Sequence, residues 1–425
     1  MSTKILFRTA VFAAVTLLAA TCIYPYDVDI ERGGEYPLVV EGDILIGSVT
    51  TVKLSHVRPF NLTDYEEIPV YAHGYIEGED GTRVEGVENL DPFSSSSTLT
   101  SNGLLYFDTS KLKENQRYRL HIETRPSQGG EGNTFESEWL QPCPAPTIDA
   151  LTYSRNLDFR ELWIGLSMHC NGAHYFRWAF NETWEYHSDI RSELDYIPTK
   201  RHQEWDYERW RSVWKTDEEG HYEKIFPGNY YCWKSYDSPS INIFSTVNQT
   251  EDRFEELAFH TIPLSDKRIQ SLYRITVQLA AQSENAYNYW NNIRQITSGQ
   301  GSIFSPVPSE MASNVLCITD PSVQVVGYLN AAVPAKAIMY YDNMEEGFYE
   351  PVKPHERMDT TIAASNILVA DNLYNSGFLP YRPEYNSLFS AEPSDYTWAL
   401  SICIDCRKQG GTRVRPADWP DNGHI

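Results

Sequence analysis

The stretch that decides the fold reads Leu272-Tyr273-Arg274-Ile275-Thr276-Val277-Gln278-Leu279. Its apolar and polar side chains alternate, which is the period of a β-strand with one buried face. The period then changes: Ser283 is placed to cap a helix, and the next apolar residues fall three or four positions apart, as on one helix face: Ala286, Tyr287, Trp290 and Ile293. Gly299-Gln300-Gly301 ends that pattern, and an apolar strand follows over 323–329. We therefore predict a strand, a helix near 284–296 and a second strand, on which the flanking segments pack.

Length and charge limit the class of protein. A chain of 425 residues predicts two or three domains. Its 58 acidic and 35 basic residues give a net charge of −23, which argues against nucleic acid as a partner because phosphates would be repelled. With 28 Tyr and 11 Trp, the chain has enough aromatic side chains for large cores or for stacking surfaces.

The N-terminus has the pattern of an export signal. Lys4 and Arg8 precede an apolar run, Ala10–Ala20, that is too short to span a bilayer. Cys22 follows small residues, which resembles the bacterial lipobox, although Ala19 stands where that motif usually has Leu. We predict a signal peptide over 1–21, lipidation of Cys22 and a tether over 22–36. The alternative is an ordinary secretory signal with a chance cysteine.

Acidic residues follow that cysteine closely, at Asp27, Asp29 and Glu31. Such a cluster resembles the surface-export signal of Bacteroidota lipoproteins. We therefore expect a lipid-anchored protein of the outer membrane, on the cell surface, with the periplasmic face as the alternative.

Short apolar runs separated by turn residues fill the region 37–142, which predicts a mainly β fold with an N-terminal fibronectin- or immunoglobulin-like β-sandwich. The segment 111–118 resembles the hairpin that precedes a late strand in fibronectin-type sandwiches. Pro142-Cys143-Pro144-Ala145-Pro146 reads as a linker. A second, elaborated β-sandwich-like domain is predicted over 147–425, with one short helix and long loops.

Within this second domain, residues 187–227 are polar, charged and aromatic without a clear period. Long insertions of this kind are frequently functional. Exposed aromatic faces bind sugars, peptides or protein partners, so we predict ligand- or partner-binding roles for four tryptophans: Trp184, Trp205, Trp210 and Trp214. Trp163, Trp178 and Trp233 lie in strand-like runs and are expected in the core.

Apart from Cys22, six cysteines are candidates for disulfides in an oxidising compartment: Cys143, Cys170, Cys232, Cys317, Cys403 and Cys406. They allow up to three bridges, and the pairing cannot be read from the sequence. Cys403-Ile404-Asp405-Cys406 has redox-motif spacing. We interpret it as structural, because no helix is predicted there to lower the pKa of a thiol. His169 beside Cys170 is the only other Cys–His neighbour, and we predict no metal site.

Motifs for catalysis are scarce. His355-Glu356 stands without the second histidine of a zinc protease, and there is neither a Gly-x-Ser-x-Gly elbow nor a phosphate-binding glycine loop. Acidic pairs such as Glu182 and Glu185 have the chemistry of a glycosidase, but their spatial separation cannot be read from the sequence. We expect a non-catalytic protein without a cofactor.

Six short motifs occur in a characteristic order along the chain: Cys22-Ile23-Tyr24-Pro25-Tyr26, Leu38-Val39-Val40-Glu41-Gly42, Tyr230-Tyr231-Cys232-Trp233, Ala286-Tyr287-Asn288-Tyr289-Trp290, Gly301-Ser302-Ile303-Phe304 and Cys403-Ile404-Asp405-Cys406-Arg407. Together they resemble DUF4249, a family of Bacteroidota outer-membrane lipoproteins of unknown function. Genes of this family commonly lie beside TonB-dependent receptors, so the resemblance implies a β-barrel partner. It implies no catalytic residues.

Our first hypothesis is a surface lipoprotein that acts as an accessory, substrate-binding or cap subunit of a TonB-dependent transporter. Its partners would be the barrel, the membrane through the lipid, and a small ligand, glycan or peptide. One alternative is a structural or assembly factor, or an adhesin, of the outer membrane. The other is a glycan- or peptide-degrading enzyme.

Overall fold

The computed structural model describes residues 37–57, 70–91, 100–125, 132–226, 228–238, 241–297, 313–346 and 353–421. The predicted signal peptide, the lipidation site Cys22, the tether and the Gly301–Phe304 motif lie outside these ranges.

Strands dominate the described residues, which confirms the mainly β prediction. Their bounds are β1 Leu38–Leu45, β2 Val49–His56, β3 Tyr71–Gly78, β4 Arg83–Asp91, β5 Thr100–Asp108, β6 Tyr118–Arg125, β7 Thr134–Ser137, β8 Thr147–Asn156, β9 Glu161–His169, β10 Tyr175–His187, β11 Leu194–Ile197, β12 Lys200–Asp206, β13 Arg211–Glu218, β14 His221–Lys224, β15 Tyr231–Asp237, β16 Asn242–Ser245, β17 Arg253–Pro263, β18 Leu272–Ala281, β19 Val315–Cys317, β20 Val325–Val326, β21 Asn330–Ala332, β22 Ala335–Asp342, β23 Thr360–Ala363, β24 Phe378–Glu384 and β25 Asp395–Leu400. The helices are α1 Glu284–Thr297, α2 Ile367–Asn375 and the single turn α3 Ser401–Ile404, with 3₁₀ turns at Lys267–Ile269 and Cys406–Gln409.

The N-terminal unit contains a sheet with the strand order β19-β7-β6-β3-β4-β5-β2-β1-β20, and β21 also pairs with β1. Alternate side chains of its strands point inward, as the period of two requires, and bury Leu54, Ile76, Phe107 and Leu120 in one core. Tyr118 is fully buried. Its hydroxyl accepts a hydrogen bond from Lys113 N at 2.7 Å and donates one to Lys113 O at 2.8 Å. This is the tyrosine corner typical of Greek-key sandwiches, and it fits the fibronectin-like hairpin predicted at 111–118.

The predicted boundary at residue 142 omits part of this unit. Segment 313–333 returns to the N-terminal sheet, where β19 pairs with β7 antiparallel and Cys317 lies opposite Phe135. Val315, Leu329 and Ala331 belong to the N-terminal core. Only Val325–Val326 of the strand predicted over 323–329 pairs as strand β20, in parallel with β1. A pairing across such a long stretch of chain has no local signature, so the sequence could not reveal it.

The central unit packs sheet β17-β9-β8 against sheet β15-β10-β18-β22, with β16 also pairing β10. The stretch predicted as the decisive strand is β18, which lies between β10 and β22 and is buried along one face. Helix α1 follows as predicted. Ser283 Oγ accepts from Ala286 N at 3.3 Å, and Trp290 is buried on the apolar face.

A third unit is formed by residues 194–224 together with strands and a helix within residues 360–400. Hairpin β11–β14 and sheet β23-β25-β24 share a core of Tyr196, Ala370, Tyr396 and Trp398. Helix α2 packs on it, so the fold has a second helix besides the one predicted. The segment 187–227 is not a structureless insertion, because it forms hairpin β11–β14 and, between those strands, hairpin β12–β13.

Candidate functional site

Hairpin β12–β13, residues 200–218, is called here the aromatic hairpin. It forms a two-stranded sheet of its own, and nearly all of its side chains are exposed. Its turn follows Asp206, whose Oδ1 accepts from the backbone N–H groups of Glu208 at 3.0 Å and Arg209 at 3.1 Å. Trp210 closes the turn with a φ of 48°, a left-handed conformation that β-branched or bulky residues seldom adopt.

Two tryptophans share one face of the aromatic hairpin. Trp205 lies opposite Ser212, and Trp214 lies opposite Gln203. Opposed residues of an antiparallel pair point to the same side, so the two indoles are diagonal neighbours on one face. Trp205, Trp210 and Trp214 are exposed to 47%, 78% and 64%, respectively, which makes these three predicted binding residues accessible to a partner. Tyr207, also exposed, adds a fourth aromatic side chain that the sequence analysis did not single out.

Charged side chains cover the opposite face of the aromatic hairpin and pair with one another. Lys215 Nζ lies 2.7 Å from Glu204 Oε2, and His202 Nδ1 lies 2.7 Å from Asp217 Oδ1. The hydrogen bond and charge of Lys215 lower the pKa of Glu204 below its ordinary value. This face is therefore neutralised within the hairpin, and the aromatic face is the one left for a partner.

Trp184, the fourth predicted binding residue, is corrected by the structure. It lies on β10 and is buried in the central core with Tyr186 and Ile275. Its neighbours in sequence are the alternating residues of a long strand, so it packs inward instead of joining the hairpin. Trp233 is buried as expected, whereas Trp178 is only half-buried against the same core.

Helix α2 holds the base of the aromatic hairpin. Asp371 Oδ1 accepts from Thr199 N at 3.0 Å and from the Tyr196 hydroxyl at 2.9 Å. Burial acts to raise the pKa of Asp371, but the hydrogen bonds from Thr199 and Tyr196 outweigh it and lower the pKa below its ordinary value. The carboxylate therefore stays ionised and fixes the point where the hairpin leaves the third unit.

A loop with two solvent-exposed apolar side chains is held by backbone hydrogen bonds near the start of the same helix. Ala364 N, just before α2, donates to Ser394 O at 2.8 Å, and Ser394 N donates to Glu384 O at 2.8 Å. The loop between these contacts carries Leu388 and Phe389, whose side chains are almost completely exposed. In the sequence, the signal for this loop is a pair of adjacent apolar residues within the polar segment between Pro383 and Pro393.

The acidic pair Glu182 and Glu185 does not face a common cleft. The two residues lie three apart on β10 and so point to opposite faces, and both are fully buried. Glu182 accepts from the Tyr273 hydroxyl at 2.7 Å, from His260 Nε2 at 3.0 Å and from Arg268 Nη1 at 3.0 Å. Burial would raise the pKa of Glu182, but the hydrogen bonds from His260 and Tyr273 and the charge of Arg268 hold it below its ordinary value.

Two of the six candidate cysteines form a disulfide in the described structure, Cys232–Cys406. The remaining four, Cys143, Cys170, Cys317 and Cys403, are free thiols, so one bridge of the predicted maximum of three forms among these residues. Burial raises the pKa of Cys143 and of Cys170 to about 11, which keeps both thiols protonated and unreactive near neutral pH.

The Cys403–Cys406 motif is helical, contrary to the prediction that no helix lies there. Cys403 lies within α3, and its thiol donates a hydrogen bond to Glu356 O at 3.5 Å. Cys406 begins the 3₁₀ turn and forms the disulfide with Cys232. Among the described residues, no group of three or more His, Cys, Asp or Glu side chains is arranged to hold a metal ion. Within the same ranges, no helix is both long enough and apolar enough to cross a membrane.

Comparison with known proteins shows the family of this chain. No curated protein matches the chain. Among solved structures, a biofilm-associated protein (BSP domain) aligns with 9% identity and a TM-score of 0.12, over 73% of this chain and 60% of that chain. A likeness this low carries no argument. A family model described as a domain of unknown function, DUF4249, matches residues 23–337. This chain therefore belongs to the DUF4249 family.

Proposed function

We propose that this protein is a non-catalytic, lipid-anchored subunit of an outer-membrane TonB-dependent transporter, and that it contacts its partner through the aromatic hairpin. The observation that carries the proposal is the solvent exposure of Trp205, Trp210 and Trp214 on a hairpin whose strands pair with no other strand of the described residues. An isolated two-stranded hairpin is at best marginally stable in water. A partner that covers the indoles would supply the missing hydrophobic contact.

The composition of the aromatic hairpin is that of an interface hot spot. Trp, Tyr and Arg dominate such sites, and the hairpin contains three Trp, one Tyr and the arginines Arg201, Arg209 and Arg211. Covering three indoles that are about 60% exposed would remove roughly 350 Å² of apolar surface, worth about 9 kcal/mol. Association costs about 4–15 kcal/mol, so the hairpin would anchor a complex that needs further contacts. Leu388 and Phe389 supply apolar surface for that purpose.

The location rests on the N-terminal sequence. An apolar export segment followed by Cys22 supports a lipid anchor, and two or three acyl chains hold a protein on a membrane stably. Anchoring keeps the soluble body near the receptor and raises its effective concentration there. The family resemblance supports a TonB-dependent receptor as that partner. A non-catalytic role is supported by Glu182 and Glu185, whose carboxylates serve the core instead of a cleft.

Co-purification tests the partner. The tagged wild type, solubilised from outer membranes in mild detergent, is expected to bring down a large β-barrel protein. The variant Trp205→Ala/Trp210→Ala/Trp214→Ala is expected to lose it while still folding, since these side chains contribute little to any core. Phe159→Ala, which removes an exposed aromatic ring on the β8–β9 turn, is the matched control and should retain the barrel. Recovery of the same barrel with the triple variant would refute the hairpin as the contact.

Labelling with radioactive palmitate tests the anchor. The mature wild type should incorporate the label and partition with membranes, whereas Cys22→Ala should do neither. Incorporation that is equal in both forms, or membrane association of Cys22→Ala in the absence of its partner, would contradict lipidation at this residue.

Direct binding of a glycan or peptide by the aromatic hairpin is the second candidate. The diagonal pair Trp205 and Trp214 presents two indoles on one face beside the polar side chains of Gln203 and Ser212. Stacking surfaces flanked by hydrogen-bonding groups suit sugar rings and extended peptides. A screen of soluble glycans and peptides against the isolated protein, with the triple Trp variant as control, separates this role from barrel binding.

A further inference from the structure

The third unit contains a cleft that is separate from the aromatic face of the hairpin. It lies between β11, the end of α2, the start of β24 and the 3₁₀ turn at Cys406–Gln409, and its volume is about 410 Å³. Binding sites for small molecules typically have volumes of about 300–1,000 Å³. Tyr374, Phe378 and Leu379 form an apolar part of its wall, and the wall also contains four charged residues: Asp195, Asp405, Arg407 and Lys408.

One of the residues that line the cleft, Asp195, has a carboxylate without an ion pair in the described part of the chain. Asp195 Oδ1 accepts from Tyr196 N at 2.8 Å, and no Lys, Arg or His of the described residues forms an ion pair with Asp195. Partial burial raises the pKa of Asp195 above its ordinary value, and it outweighs the hydrogen bond from Tyr196 N and the charge of Arg407, which both lower the pKa. A cationic ligand at this carboxylate would relieve the unfavourable burial of its charge.

Two cations, Arg407 and Lys408, also line the cleft. Arg407 donates through Nε and Nη2 to the buried carboxylate of Asp405, at 2.9 Å and 2.7 Å, which neutralises that acid and fixes the guanidinium in place. Arg407 remains half-exposed, and its Nη1 has no partner among the described side chains. Lys408 follows it along the wall, exposed and unpaired within the same ranges. The disulfide Cys232–Cys406 ties this turn to β15, so both cations lie on a rigid support.

We propose that the cleft binds a small zwitterionic ligand, such as a free amino acid, with its ammonium on Asp195 and its carboxylate on Arg407 and Lys408. The charges of Asp195, Asp405, Arg407 and Lys408 sum to zero, and neither Asp195 nor Lys408 forms an ion pair within the described residues. This arrangement matches a dipolar molecule better than a simple cation or anion. The apolar part of the ligand lies against Tyr374 and Phe378, which predicts a preference for apolar side chains.

Isothermal titration of the full mature chain with L-leucine tests this site. Leucine is expected to bind. L-leucinamide, which lacks the carboxylate, and N-acetyl-L-leucine, which lacks the ammonium, are each expected to bind roughly tenfold more weakly or worse, because each loses a charged hydrogen bond. No heat from leucine with the wild type, or equal binding of all three compounds, would overturn the proposal.

Variants assign the two ends of the ligand. Asp195→Asn should weaken leucine binding roughly tenfold while leaving the already weak N-acetyl-L-leucine unchanged. Lys408→Gln should weaken leucine but not leucinamide. Asp158→Asn, at an exposed acid in the β8–β9 turn, is the matched control and should bind like the wild type. The triple Trp variant should also bind leucine like the wild type, so the leucine experiments test this site separately from the proposed partner surface. Wild-type binding by Asp195→Asn would refute it.

Discussion

Replacing Glu182 by Gln should destabilise the central unit by about 3 kcal/mol at neutral pH. The carboxylate is fully buried and accepts from Tyr273, His260 and Arg268. Removing one member of a buried charge network typically costs about 3–5 kcal/mol, because its partner stays buried without compensation. We expect the low end of this range, because Arg268 retains its ion pair with Asp266, at 2.9 Å between Nη2 and Oδ2. Arg268 and His260 are also partly exposed, so water can solvate them when the carboxylate is removed. The amide also preserves the volume and can still accept from Tyr273.

The pH dependence of this difference has a definite sign. Folding lowers the pKa of Glu182 below its ordinary value of 4.5, so the ionised form is favoured in the native state. Its contribution is fully present above pH 4.5 and is lost as the pH falls through the lower native pKa. The gap between the wild type and Glu182→Gln should therefore be constant near neutrality and should close in acid.

Urea denaturation followed by far-UV circular dichroism measures the loss of stability and its pH dependence, from the midpoint and slope of each unfolding curve at a series of pH values. Glu251→Gln is the matched control, because Glu251 is exposed in the loop between β16 and β17 of the same unit and has no side-chain partner among the described residues. A loss below about 1 kcal/mol for Glu182→Gln, the level of an exposed ion pair, would refute the reasoning. So would a gap that widens as the pH falls.

Two further predictions concern the disulfide and the core of the N-terminal unit. Cys232→Ala/Cys406→Ala should lower the free energy of unfolding by about 5 kcal/mol on the chain-entropy model, because the bridge spans 174 residues. Reduction of the wild type should reproduce this loss in thermal melts. An unchanged melting temperature would contradict the prediction. Tyr118→Phe should cost about 1–3 kcal/mol in urea denaturation, since the backbone N–H and C=O of Lys113 lose their partner. Stability equal to that of the wild type would mean that water replaces the hydroxyl.

Local periodicity predicted the parts of the fold that have one buried face. Strand β18 and helix α1 were predicted close to their observed bounds, because burial on one side leaves a period of two or of three to four in the sequence. The aromatic hairpin escaped the same method for a physical reason. Both of its faces are exposed, so no side has to be apolar and no period appears.

Residue type predicted the aromatic surface only in part. Trp205, Trp210 and Trp214 are exposed, whereas Trp184 is buried although it lies only 21 positions before Trp205. A tryptophan has the same chemistry in a core and at an interface. Whether a tryptophan is buried or exposed depends on how its strand is paired. Strand β10 of Trp184 lies inside a sheet, between β15 and β18, whereas strand β12 of Trp205 pairs only with β13.

By itself, the sequence determined the strand-rich class, the acidic surface and the local elements around β18, since these follow from composition and short-range period. Tertiary structure alone decided that Cys232 pairs with Cys406, that segment 313–333 completes the N-terminal sheet, and that Asp195 and Arg407 line one cleft. Each of these joins residues far apart in the chain. Such contacts are selected by the packing of the whole molecule, and no short stretch of sequence encodes them.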